Sequence, residues 1–276
     1  MSELGGRASH STHGPGRVPW AGSLAQLVRR RELLVTLVER QLRLRAKRSV
    51  MGVVWPVVAP LFLLALYVFV FGSVFDAPVD DYPAYLFAGL LPWSFLVQSV
   101  HDALQSISYE PELVRRAPFP YHLLPLARVV VLAIPFLVLL VGFVAWLVVS
   151  SDVRLVLLPW LVAPVAAVLL LVAGIASVLA LIDVFNRDLR FVLNNLLTVW
   201  FFLVPIVYTQ RMAGGRLDWV RAVDPMNHVI GRFRDVLYTG HVDPGSMALT
   251  LVYGAAVFVA SLLLFQRAAL DLAKDV

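Results

Sequence analysis

Six apolar runs, each long enough to cross a bilayer as a helix, alternate with short polar segments along the chain. They extend from Val53 to Phe75, Ala84 to Gln105, Val129 to Val149, Leu155 to Ile182, Phe191 to Tyr208 and Met247 to Phe265. A helix rises about 1.5 Å per residue, so about 20 apolar residues cover the hydrocarbon layer. No water is available there to satisfy the backbone, which favours helices, whose bonds are internal. Pro92, Pro135, Pro159, Pro164 and Pro205 fall inside or beside these runs and predict kinks of the kind a helix bundle tolerates. The predicted fold class is therefore all-α, a polytopic membrane protein with six transmembrane helices.

The polar segments carry patterns of their own. Ahead of the first run, Leu24, Leu27, Val28, Val35, Val38 and Leu42 recur at helical spacing, opposite Arg29, Glu32, Thr36, Glu39, Arg40 and Arg43. This predicts an amphipathic helix over 24–48 lying in the membrane interface, able to anchor the chain and to contact a cytoplasmic partner. Residues 1–23, rich in Gly, Ser, His and Pro, read as a disordered tail and lack the apolar stretch of a signal peptide. Residues 49–276 form the transmembrane domain. Between runs two and three, Tyr109-Glu110-Pro111-Glu112-Leu113-Val114-Arg115-Arg116 precedes Pro118. Proline and glutamate in a first turn and arginines in the last suit a short helix, or else a rigid turn with a solvated charge pair. Between runs five and six, Asp224-Pro225 divides two short amphipathic helices whose apolar positions include Trp219, Val220, Val223, Ile230, Phe233 and Leu237. They are expected either to dip back toward the bilayer or to lie on its surface.

Composition agrees, with 60% hydrophobic and 15% charged residues, against about 25% charged in soluble domains. Ten of the 23 basic residues precede the first run, within a net charge of +5. Basic residues beside a span set orientation and touch anionic lipid, which makes nucleic-acid binding a poor reading. The acidic segment with Asp76, Asp80 and Asp81 is expected outside, and Arg115, Arg116, Arg128, Arg187 and Arg190 inside with both termini. One segment disagrees: 209–245 carries Arg211, Arg216, Arg221, Arg232 and Arg234 yet falls outside in a six-span count.

Candidate chemistry is sparse. There is no cysteine, and G-x-x-x-x-G-K-[ST] is missing, so thiol chemistry and a P-loop are excluded from the sequence. No span carries an ionisable residue near its centre, which argues against an ion-coupled carrier. His10 and His13 have no supporting ligands, so no metal site is expected, and no Ser-His-Asp or paired-carboxylate arrangement is found. Tyr67, Phe71 and Phe75 share a helix face, and Trp200, Phe201 and Tyr208 crowd the fifth run. Such rings serve as sugar platforms or simply as packing. Gln98, His101, Asp102 and Gln105 form a polar patch low on the second run, lining an entry or joining helices.

Three stretches resemble the membrane subunit of ABC-2 type polysaccharide exporters, the family for O-antigen, capsule and teichoic acid polymers. These are Arg45-Ala-Lys-Arg-Ser-Val-Met-Gly-Val-Val-Trp-Pro, then Asp183-Val-Phe-Asn-Arg-Asp-Leu-Arg190 with Pro205-Ile-Val-Tyr208, then Asp224-Pro-Met-Asn-His228 with Arg232-Phe-Arg234. The likeness covers about residues 24–270. It implies a homodimer of permeases in the bacterial inner membrane, working with two copies of a separate ABC ATPase that bind ATP and Mg; this chain itself holds no cofactor. It implies that Tyr109, Glu110, Glu112, Arg115 and Arg116 couple to that ATPase. Tyr67, Phe71, Phe75, Trp200, Phe201 and Tyr208 would line a glycan channel. Trp219, Asp224, Pro225, Arg232 and Phe233 would belong to outer gate helices, and Arg187 or Arg190 would meet the diphosphate of a polyprenyl-linked polysaccharide, though orienting the protein explains them equally well. The alternatives are a drug or small-lipid efflux permease of the same superfamily, or a membrane scaffold without transport.

Overall fold

The computed structural model describes residues 31–48, 50–74, 79–110, 120–150, 155–186, 188–209 and 218–272. Among them all regular structure is helical. Helix α1 (Arg31–Arg48) leads into α2 (Val50–Tyr67), which continues through a π-helical stretch, Val68–Val74. Then follow α3 (Tyr82–Leu104), α4 (Leu123–Ser150), a 3₁₀ segment Leu155–Leu161 running into α5 (Val162–Phe185), and α6 (Leu189–Leu203). Two short helices, α7 (Asp218–Val223) and α8 (Pro225–Arg234), with a π-helical extension Asp235–Thr239, precede α9 (Pro244–Leu272).

Five of these elements are long and apolar enough to cross a membrane, and the fifth apolar run forms the shorter α6. The difference has a local cause. Proline disfavours helical backbone in the residue before it, and Val204, ahead of Pro205, is extended at φ −82° and ψ 129°. The helix predicted to reach Tyr208 therefore stops at Leu203. Helix α4 shows the opposite deviation, beginning at Leu123 rather than at Val129.

Helix α3 is the hub. Eighteen of its residues, from Tyr82 to Leu104, are buried, and it packs on α4, α5, α8 and α2. Its start is set by Asp81, which adopts a left-handed conformation (φ 45°, ψ 54°) that aspartate tolerates better than most residues. The Asp81 carbonyl accepts from the Ala84 and Tyr85 amides. Helix α2, by contrast, leaves Trp55, Phe62, Leu66 and Phe69 exposed, a surface left to lipid or to another subunit. Helix α1 docks through Leu37 and Gln41, whereas Val35 and Leu42 of the predicted stripe are exposed. The docking face is rotated because α1 lies against α4.

Helices α5 and α9 approach most closely. A Cβ on Gly254 would lie 2.5 Å from the Ala167 carbonyl oxygen, and one on Gly174 would lie 2.9 Å from the Phe258 nitrogen. Small residues at such crossings let backbones meet where no hydrophobic driving force separates protein from lipid. Gly254→Val is expected to destabilise the bundle by about 2–3 kcal/mol through overpacking, read as a lowered thermal midpoint in detergent. Gly142→Ala is the control, since a Cβ there meets nothing within 4 Å.

Candidate functional site

Helix α6 and the segment that follows it run antiparallel to α3, and the contacts between them order the chemistry along the bundle. At one end His101 reaches Asn194 (Nε2 to Oδ1, 2.6 Å). Midway, Trp93 meets Trp200 edge-on at 5.5 Å. At the other end the Tyr82 and Tyr85 hydroxyls donate to the Val207 and Tyr208 carbonyls, at 3.0 and 2.9 Å.

The His101 end is rich in arginine. Asp102 binds Arg45 at 2.6 Å and approaches Arg128 at 3.7 Å, joining α3 to the end of α1 and the start of α4. The turn after α3 is tied down three times. Ser108 donates to Asp183 (2.9 Å), Tyr109 lies beneath the Arg190 guanidinium (5.8 Å from ring centre), and Glu110 pairs with Arg40 of α1 (3.1 Å). Asp183 is fully buried, and Arg190 grips it with two bonds of 2.6 Å. A buried carboxylate demands such compensation, so the Arg190 guanidinium first serves its own fold. Of the five residues expected to couple to an ATPase, Tyr109 and Glu110 sit in this tethered turn; Glu112, Arg115 and Arg116 lie outside the described residues, as does Arg187.

The expected channel aromatics form a cluster at mid-depth. Tyr67 stacks on Phe201 at 5.7 Å and 19°, and Phe71 lies 6.2 Å from Tyr67. Trp93, which the sequence reading did not single out, completes it, 5.7 Å from Phe201. Its signal was an indole placed at mid-span, away from the interfacial belt where tryptophan usually sits. Phe201 is buried by its neighbours, while Phe202 and part of Trp200 are exposed. Tyr208 folds back to cap α6, donating to the Phe202 carbonyl at 2.6 Å. Phe75 lies outside the described residues.

The α7–α8 hairpin sits over the opposite end and returns into the bundle. Asp224 caps α8, accepting from the Met226 amide at 3.0 Å, with Pro225 in the first turn, where a missing N–H costs nothing. The Asp224 carboxylate also accepts from Trp200 Nε1 at 3.2 Å, linking the hairpin to the aromatic cluster. Burial pushes its pKa up, against the stabilising bonds from Met226 and Trp200. Phe233 points inward, fully buried and 6.4 Å from Phe136 of α4, while Trp219 is exposed.

Arg234 was noted in sequence as part of a motif and as one of the arginines that disturbed the charge count, and it proves to be the organising residue here. It is 9% exposed. Its Nη1 and Nη2 donate to the Pro205 and Ile206 carbonyls at 2.7 and 2.8 Å, Nε to the Tyr85 carbonyl at 3.3 Å, and its Cζ lies 3.7 Å over the Tyr85 ring. The Pro205 and Ile206 carbonyls belong to the segment that Pro205 withdraws from α6, and Tyr85 belongs to α3. Arg232 pairs with Asp235 at 3.1 Å. Two of the arginines that disturbed the charge count are thus neutralised or buried; Arg211 and Arg216 lie outside the described residues. No group of three or more metal-ligating side chains occurs among the described residues.

Residues 32–238 match the family described as ABC-2 type transporter. Among curated proteins, the chain is similar to an O-antigen export system permease protein RfbA of Myxococcus xanthus, 29% identical over 248 residues, covering 86% of this chain and 92% of the relative. Two proteins of the same description from Klebsiella pneumoniae are 24% and 25% identical over 238 residues, with the same coverage.

Proposed function

The chain belongs to the ABC-2 type transporter family, and from that membership we propose that it is the permease subunit of an ATP-driven exporter of a polyprenyl-diphosphate-linked polysaccharide, of O-antigen, teichoic acid or cell-wall galactan type. The observation that carries the reading is likeness over 92% of the length of relatives named for O-antigen export. The charged groups support it. Asp102, Arg128 and Asp183, the charges in α3, α4 and α5, are held in ion pairs at the arginine-rich end, so those three helices offer no charge at mid-depth to bind a coupling ion. Work must then come from a partner, here two ABC ATPases that bind ATP and Mg, acting on a homodimer of this non-catalytic subunit.

In this proposal the arginine-rich end and both termini are cytoplasmic. Helix α6 counts as the sixth crossing. Its 15 residues cover about 22 Å, and Val204–Tyr208 carries the chain on to the level of Tyr82 and Tyr85. The turn at 105–110 passes motion from the 109–116 segment to α1, α5 and α6, since Glu110, Ser108 and Tyr109 contact each of them. The α7–α8 hairpin acts as an outer gate that senses α6 through the Trp200–Asp224 bond, and the aromatic cluster adjoins the glycan path.

The test is to coexpress the protein with its genomic neighbours, purify it in detergent, and measure ATPase turnover with and without lipid-linked glycan. Stable copurification of an ATPase stimulated by the glycan is expected. Isolation of the chain alone would favour a scaffold, and an ATPase indifferent to glycan but stimulated by drugs would favour an efflux permease.

A further inference from the structure

A cavity of about 360 Å³ opens at the arginine-rich end, between α2 and the α3–α4 pair. Its lining is of two kinds: Arg45, Gln98, His101 and Asp102 are polar, and Pro56, Val97 and Leu132 are apolar. Arg128 stands one helical turn from the cavity wall at Leu132, with its side chain 19% exposed. Among the described residues its one ion pair is with Asp102 at 3.7 Å, beyond hydrogen-bond range, because that carboxylate is already held by Arg45 at 2.6 Å. Two guanidiniums therefore share one carboxylate, leaving these three groups with a net charge of +1 in a partly buried setting. His101 is not available to a ligand, as both its ring nitrogens are engaged by the Val97 carbonyl and Asn194. Gln98 holds only a long bond of 3.5 Å to the Pro56 carbonyl.

An uncompensated cation at the edge of the hydrocarbon layer calls for an anion at that depth. The anion must be attached to something apolar, because the rest of the lining is Pro56, Val97 and Leu132. We propose that this cavity is a specific site for one anionic glycerophospholipid of the adjoining leaflet, with its phosphodiester on Arg128 and Gln98 and the start of its acyl chain along Pro56 and Val97. A single net positive charge matches a monoanionic phosphodiester. It undercompensates a diphosphate, which distinguishes this site from any that would receive the exported lipid. The bound lipid would wedge α2 against α3 and α4, next to the joint with α1.

The experiment is a titration of the detergent-purified, delipidated protein, together with any subunit that copurifies, with phosphatidylglycerol, phosphatidylcholine of the same chains, or undecaprenyl diphosphate. Bound lipid is counted by native mass spectrometry, and thermal midpoints are recorded alongside. Phosphatidylglycerol is expected to remain bound at one per chain, with phosphatidylcholine about five- to tenfold weaker, as expected for losing about one near-surface charge contact. Arg128→Gln should abolish that preference. Val97→Phe, which fills the cavity from a half-buried position and leaves every charge in place, should abolish the tight site without lowering the lipid-free midpoint. Equal binding of both phospholipids, or parental binding by Val97→Phe, would overturn the proposal. Preference for undecaprenyl diphosphate would overturn the phospholipid assignment and give the cavity to the exported lipid. None of these results bears on whether an ATPase responds to glycan, so the two proposals fail separately.

Discussion

Arg234→Leu is expected to disable the protein more thoroughly than any other single substitution of a polar residue at the Tyr82 end of α3. The arginine side chain is nearly buried and serves the Pro205 and Ile206 carbonyls, which have no helical partner, with a longer bond to the Tyr85 carbonyl of α3. Each carbonyl left unsatisfied in a dry interior costs about 1–3 kcal/mol, so the loss takes a large share of the roughly 5–15 kcal/mol that holds a typical protein folded. Leucine fills much of the volume, which separates the polar loss from cavity formation. Arg234→Lys should rescue little, because an ammonium lacks the planar fork that bonds Pro205 and Ile206 together while lying on the Tyr85 ring. Gly89→Leu provides an independent route to the same defect. A Cβ on Gly89 would stand 2.9 Å from Arg234 Nη2 and 3.3 Å from Ile230, so a bulky side chain drives the guanidinium from its seat. The readouts are monodispersity and thermal midpoint in detergent, then export in cells. Arg234→Leu with a parental midpoint would show that the carbonyls find water and that the arginine is not a structural clamp.

The hydrophobic runs located the long helices well because lipid leaves so few alternatives to an uninterrupted helix. Their ends were less legible, and two cases show why. The third run appeared to begin at Val129 because Arg128 looked like a terminator, yet the helix continues back to Leu123 once Asp102 offers that charge a partner from another helix. The fifth run appeared to reach Tyr208 because its residues stay apolar, whereas Pro205 ends the helix regardless of hydropathy. Apolarity reports where a segment lies and says little about whether its backbone bonds are internal.

The site residues divide along similar lines. Asp224-Pro225 was readable as a helix start because capping is local, decided within a few residues. The roles of Arg234 and Asp183 were not, since their partners Tyr85 and Ser108 are 149 and 75 residues away in sequence. The rotation of α1 has the same origin. Its heptad-like pattern marks a stripe near Val35 and Leu42, but the face that docks, around Leu37 and Gln41, is chosen by α4. Gln41 shows that a buried position on this helix need not be apolar.

Replacement of Arg190 by methionine should destabilise the arginine-rich end by about 3–5 kcal/mol, the usual result of removing one partner from a buried ion pair. The effect should be asymmetric. Asp183 is fully buried while 24% of the Arg190 side chain is exposed, so a stranded Asp183 has only Ser108 to satisfy it, whereas a stranded Arg190 can turn toward solvent. Asp183→Asn, which keeps an acceptor for Ser108, is therefore expected to cost less than Arg190→Met. The double variant Asp183→Asn with Arg190→Met should recover most of the lost stability, because neutral groups of similar size often replace a buried pair without penalty. Thermal midpoints of the four proteins form a double-mutant cycle that isolates the coupling. The cycle also separates fold from transport. If the pair only holds α5 to α6, the double variant regains export along with stability. If the pair transmits motion from the 105–110 turn, the double variant is stable yet hydrolyses ATP in its complex without exporting glycan, since Tyr109 has lost the cation above its ring. The second outcome is the one expected from a turn fastened to three helices, and a fully active, stable double variant would remove Asp183 and Arg190 from the coupling path.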